Sequence, residues 1–157
     1  MKDVIPHERI ESRILELRGK KVIFDVDLAE LYGTETKYLK RQVNRNPERF
    51  PEDFMFQLTR DEWNNLRSHF GTSSWGGTRY PPYAFTEHGI LMLSNVLKSE
   101  RAVSVSIQII RVFAKMREMV QGYRELIERI QKIERRQDTE SREVWKAIKL
   151  LQSTVMK

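Results

Sequence analysis

The chain has no cysteine in its 157 residues, which excludes disulfides, thiolate metal sites and cysteine nucleophiles. Histidine is scarce. His7, His69 and His88 lie far apart, so no metal site and no other cofactor is expected. No apolar run approaches the length needed to cross a bilayer, and the opening MKDVIPHERIESR is charged and lacks an apolar signal region. No membrane partner is therefore expected, and the chain reads as cytoplasmic. Repeats and low-complexity segments are also lacking. What is present is charge: 28 Lys and Arg against 22 Asp and Glu, a net charge of +6 and a pI of about 9.6, compatible with a polyanionic partner without proving one. The length suits one domain with a real core plus an extension.

The most informative stretch is Asp27–Gln42, DLAELYGTETKYLKRQ. A helix entering at Asp27, with Glu30 as the other half of a capping pair, puts Leu28, Leu31 and Tyr32 on one face and Ala29 at a close crossing. Gly33 can take the left-handed conformation that ends this helix, and Thr34 can cap a second one running through Thr36, Lys40 and Val43. That is the pattern of a helix-turn-helix. Tyr38, Leu39, Gln42 and Val43 are expected inside. Thr36, Lys37, Lys40, Arg41, Asn44 and Arg45 are then left on the outer face for bases and phosphates. From Thr36 to Arg49 five basic residues stand against one acidic, a local charge of +4.

Around this pair the chain predicts short strands and more helices. Ile14–Leu17 and Lys21–Phe24 flank Arg18-Gly19-Lys20 as a β-hairpin. Pro47 and Pro51 end the second helix, and Phe54–Leu58 reads as a strand. Thr59-Arg-Asp-Glu62 is a capping box for a helix with Trp63, Leu66 and Phe70 on its apolar stripe. Tyr83–Thr86 can pair with Phe54–Leu58, with Pro81 and Pro82 confining it to an edge or a strand entrance. Thr86 caps a helix over Glu87–Leu97 whose core face is Ile90, Leu91, Leu93 and Leu97. A last helix from about Ser99 carries Ile107, Ile110, Phe113 and Met116. Beyond about Met119 the apolar residues Met119, Tyr123, Leu126, Ile130, Ile133, Val144, Ala147 and Leu151 fall on a 4-3 alternation, a coiled-coil seam. Gln137 and Glu140 occupy it in the middle, where polar residues either fix register or mark a break.

Three blocks, RGKKVIFDVDLAELYG, VNRNPERFPEDFMFQLT and SSWGGTRYPPYAFTEHGILMLSNVLKSERA, give the chain a family likeness over roughly Ile14 to Arg117. It resembles the ORF6N domain, a phage-associated DNA-binding domain related to the KilA-N and Bro-N domains. The resemblance implies a sequence-specific DNA-binding or antirepressor-type module of phage or prophage origin, without catalytic residues. It does not cover the C-terminal tail. Pro47 shortens the second helix relative to the family pattern, which weakens the case for Arg49 as a groove contact.

The expected architecture is a small α+β domain, 10–118, containing a helix-turn-helix and short β-strands, followed by a helical coiled coil, 119–157. The expected function is non-catalytic binding of double-stranded DNA in transcription regulation, with the tail making a homodimer. The alternatives are an antirepressor that captures a repressor protein, and a metal-dependent nuclease. Asp25, Asp27 and Glu30 form the carboxylate cluster such a nuclease would use, although their place at a helix start suits caps and dipole partners better. In the loop Gly71–Thr78, Trp75 invites base stacking, with a plug over the core edge as the structural alternative, and Arg79 invites a phosphate. The loop has neither the Gly-Lys-Ser/Thr ending of a Walker A loop nor a dinucleotide fingerprint.

Overall fold

In a computed structural model, residues 4–70 and 80–155 are described. The order is α1 (His7–Glu11), β1 (Leu15–Leu17), β2 (Lys20–Phe24), α2 (Asp25–Tyr32), α3 (Thr36–Arg45), a 3-10 turn (Pro47–Arg49), β3 (Met55–Gln57), α4 (Arg60–Phe70), β4 (Tyr83–Phe85), α5 (Glu87–Leu97) and α6 (Glu100–Val155). The fold class is α+β. Two units divide the chain, residues 1–114 and 115–157, and the second consists of the C-terminal part of α6.

The sheet is antiparallel with strand order β1-β2-β4-β3. Its first pair is the expected hairpin: Leu17 faces Lys20, and Arg18 and Gly19 between them both have positive φ, as a two-residue type I′ connection requires. Strand β4 pairs with β3 as expected, but it also pairs with β2 and is interior. Pro81 and Pro82 precede it, so their missing N–H groups cost the ladder nothing. Val22, Phe24, Phe56, Leu58 and Ala84 gather with Trp63 of α4 into one core cluster, where the Phe24 and Trp63 rings meet edge to face at 6.0 Å. Ile23 and Phe85, alternating to the other face, are fully buried too.

The capping box forms as the spacing predicts. Glu62 N–H donates to Thr59 Oγ1 at 3.1 Å and Thr59 N–H donates to Glu62 Oε1 at 2.8 Å. Arg18 adds two bonds to the same carboxylate and holds it well below the usual range, at about 2. Thr86 caps α5, accepting from Gly89 N–H, and its own hydroxyl donates to Phe54 O. Gly89 is required here: a Cβ at this position would stand 2.3 Å from Phe54 O.

Two helix faces differ from expectation. Leu91 is about half exposed, while Ile90, Leu93, Val96 and Leu97 are buried. On α6, Ile107 is also about half exposed, and the buried set is Ala102, Val105, Ser106, Ile109, Val112 and Phe113. In both helices more apolar residues are available than one packing face can hold, and the neighbouring elements select which are covered.

Helix α2 begins at Asp25, two residues before the expected start, because the chain passes from β2 directly into the helix. Asp27 is therefore not a cap. It is buried inside the first turn and accepts a bond from Arg13. At the other end Gly33 has φ 72° and ψ 34°. Gly33 N–H donates to Glu30 O and Thr34 N–H to Ala29 O, the two bonds of a Schellman termination. Thr34 is thus committed to closing α2 and does not cap α3, whose N-cap position is Glu35 with no side-chain capping bond. Arg101 of α6 completes the corner, its Nε donating to Tyr32 O at 2.8 Å. Beside it the Tyr32 hydroxyl and Ser106 Oγ share a buried bond of 2.7 Å.

Both constraints at Gly33 act against a side chain, since an added Cβ meets Arg101 Nε at 2.9 Å as well as the left-handed backbone. Gly33→Val should lower stability by roughly 1 kcal/mol or more, and Gly33→Asn by less, since Asn tolerates this conformation better. Thermal melts of both variants check this. Equal and negligible shifts would show that neither the turn nor the Arg101 contact constrains the corner.

Candidate nucleic-acid interface

Helix α3 has ten residues and meets α2 and α5 through one ridge, Leu39 and Val43, both buried. Tyr38, expected inside, is 40% exposed, and Gln42 is only half-buried. With a single i, i+4 ridge covered, the flanking positions stay at the surface. Tyr38 and Gln42 instead line a polar groove beside α3 together with Asn46, Arg49 and Asn95.

The outer face carries Lys37, Arg41 and Arg45, all exposed and spaced i, i+4, i+8. They form a line about 12 Å long, from the helical rise of 1.5 Å per residue. None of the three has an ion-pair partner among the described residues. Other cations of the same unit are engaged: Arg9 with Glu30, Arg13 with Asp27 and Glu30, Arg18 with Glu62. Thr36 is half-buried at the start of α3, and Asn44 is exposed. Asn44 Oδ1 accepts from the Tyr83 hydroxyl at 3.4 Å, a long bond that does not use its amide N–H groups.

Lys40 belongs with the engaged cations rather than on the open face. Its ammonium lies 3.6 Å from Asp25 Oδ2 and 5.0 Å from the Tyr83 ring centre. Asp25 is buried, accepting from Val26 N–H at 2.7 Å and Tyr83 N–H at 3.1 Å. Burial pushes its carboxyl above the ordinary range, while the Tyr83 bond, Lys40 and the Val26 bond pull the other way. The sequence signal for this pairing is faint, because Asp25 and Lys40 lie on different helices and nothing local links them.

The three carboxylates of the supposed nuclease cluster each have a cationic partner: Lys40 for Asp25, Arg13 for Asp27, and Arg9 with Arg13 for Glu30. Among the described residues no group of three His, Asp or Glu side chains is arranged to hold a metal ion. His88 stacks on Phe54 at 5.2 Å. Trp75 and Arg79 lie outside the described residues. No helix among the described residues is long and apolar enough to cross a membrane.

Removing Lys40 should leave the buried carboxylate without its cation. A carboxyl whose folded pKa exceeds its unfolded value favours the fold at low pH, and that contribution is lost as pH rises through the folded pKa. Lys40→Ala raises the folded value further. The variant should therefore lose about 1–3 kcal/mol at neutral pH and distinctly less near pH 4. Urea melts at the two pH values measure this, and equal losses would mean that Lys40 does not partner Asp25.

The model of the ORF6N domain family matches residues 12–96, from the end of α1 through α5, more than half of the chain. No curated protein and no solved structure matches. The matched region contains the hairpin, the α2–α3 corner, the sheet and the cation line, and the chain belongs to the ORF6N domain family, a phage-type family of the KilA-N and Bro-N kind.

Proposed function

We propose that the protein binds double-stranded DNA without catalysis, as a phage- or prophage-type regulator, with α3 as the helix that enters the major groove. The observation that carries this reading is the unpaired line Lys37, Arg41 and Arg45 on the second helix of a helix-turn-helix, in a unit where Arg9, Arg13, Arg18 and Lys40 are ion-paired. Charges left free on one face lose little hydration until a polyanion arrives, and they then release its counterions. Lys37, Arg41 and Arg45 divide between phosphates and guanine edges, while Thr36 and Asn44 supply donors and acceptors for base discrimination. Lys40 contributes from behind, by holding α3 to the sheet through Asp25. On this reading the protein works in the cytoplasm, where phage and prophage DNA lies.

A short helix reads few base pairs, so a second linked copy adds affinity through effective concentration. The tail supports this. Met119, Tyr123, Leu126, Ile133, Val144 and Leu151 are each more than half exposed along α6, and the helix runs through Gln137 and Glu140 without a break. We propose a homodimer through this seam. The same exposed seam favours, as the second reading, an antirepressor that captures another coiled-coil protein.

Selection from a random duplex pool should return a bound motif, and mobility shifts on it should show affinity falling steeply with salt, by about 0.9 in log–log slope per phosphate contact. Arg41→Ala with Arg45→Ala should weaken binding tenfold or more at moderate salt with an unchanged melting temperature. Full affinity in a folded double variant would remove α3 from the interface. No binding at any salt by the intact chain would favour the antirepressor.

Deletion of the tail after Met116 should leave a folded monomer, while the full chain sediments as a dimer at tens of micromolar. A dimeric truncated chain would move the association surface into the first unit.

A further inference from the structure

The seam is not neutral about the direction of its partner. With Met119 and Leu126 at d, and Tyr123 and Ile130 at a, Gln137 is an a residue and Glu140 a d residue, side by side in the middle of an otherwise apolar stripe. In a parallel pair in register each residue meets its own copy. Two Glu140 carboxylates would then face each other at a core layer, the arrangement an apolar seam tolerates least.

Reversing one helix about a two-fold axis between Asp138 and Thr139 removes this conflict. Gln137 then faces the partner's Glu140, so that an amide N–H can donate to the carboxylate. The next three layers on each side pair apolar with apolar: Ile133 with the partner's Val144, Ile130 with the partner's Ala147, and Leu126 with the partner's Leu151. Sliding the reversed helix by one heptad would put Gln137 and Glu140 against isoleucines in one direction and against Ala147 and Val144 in the other, so the polar layer fixes the register.

The flanking positions agree. In the reversed pair, residues at g meet g and residues at e meet e. Arg136 meets the partner's Glu143, an opposite-charge contact made twice by symmetry. At the e positions Ile127 meets the partner's Ile148, which gives these isoleucines, otherwise unexplained by an a/d seam, an apolar neighbour. A parallel pair has its own attractive contact, Arg129 with the partner's Glu134, likewise made twice. It also sets Ile148 against Glu143 and Ile127 against Gly122.

We propose that a second copy of this chain occupies the tail in antiparallel orientation, with Gln137 and Glu140 as the registering layer at its centre. This rests on the homodimer reading and gives it a direction. The two copies of Lys115, where the tail unit begins, come about 70 Å apart along the rod at 1.5 Å per residue. Two ends far apart, rather than together, are what the tail holds.

Because the chain has no cysteine, single introduced thiols report the direction without background. Leu126→Cys and Leu151→Cys full-length chains are prepared separately, then mixed, annealed and mildly oxidised. Each variant alone should stay uncrosslinked, since equivalent residues lie about 37 Å apart in the antiparallel pair, beyond the roughly 7 Å limit for a disulfide. The mixture should give a covalent dimer. Ile133→Cys with Val144→Cys repeats the test nearer the centre, should the first pair disturb folding by circular dichroism. Self-crosslinking of either single variant in a dimeric chain overturns the orientation and leaves the homodimer standing. A dimer in which neither mixture crosslinks overturns the register, and a chain that sediments as a monomer overturns both readings.

Discussion

Asp25 is a carboxylate taken out of water, and much of the first unit is arranged so that it can be. Desolvating a charge is costly unless hydrogen bonds and an opposite charge replace the lost water. Asp25 obtains these from three elements: Val26 at the start of α2, the Tyr83 N–H at the start of β4, and Lys40 from the middle of α3. A single side chain thereby sets the start of α2, the entry of the interior strand and the rotation of α3. The rotation matters most. With Lys40 turned back toward the sheet, the line Lys37, Arg41 and Arg45 is the face that points to solvent.

The corner between α2 and α3 is fixed from the opposite side. A Schellman termination at Gly33 closes the first helix, and Arg101 reaches across from α6 to satisfy the carbonyl of Tyr32 that the termination leaves open. The Tyr32–Ser106 bond ties the same two helices one turn further on. The N-terminal part of α6 thus acts as a strut for the helix-turn-helix. Another close approach, Gly89 under the Phe54 carbonyl, seats α5 against the β3 end of the sheet. These contacts leave α3 held through a narrow ridge, with Lys37, Arg41 and Arg45 exposed on its outer side.

On the proposed reading, the division of cations into paired and unpaired is the functional logic of the domain. Arg9, Arg13, Arg18 and Lys40 direct their charge to the protein's own carboxylates, on α2 and α4. Such pairs set geometry more than they add stability where they are exposed. The free line on α3 then supplies charge without disturbing that geometry, and the tail multiplies a weak single contact into a stronger double one.

Local chemistry in the sequence determined a large share of the architecture. The Arg18-Gly19 hairpin, the Thr59–Glu62 capping box, the Thr86 cap, the left-handed Gly33 and the extent of α5 all depend on residues within about four positions of each other, so their spacing is enough to read them. Membership of the ORF6N family was legible for a related reason, since its three motif blocks are contiguous stretches. Tertiary structure alone decided which face each element shows. It buried Asp27 where a cap was expected, turned Lys40 inward and Tyr38 outward, exposed Leu91 and Ile107, and required Gly89 to be bare. Three of these outcomes depend on a named neighbour distant in sequence: Arg13 for Asp27, Asp25 for Lys40, Phe54 for Gly89. Periodicity states how residues are disposed around their own helix axis; which side of that axis is covered is settled by whatever packs against it.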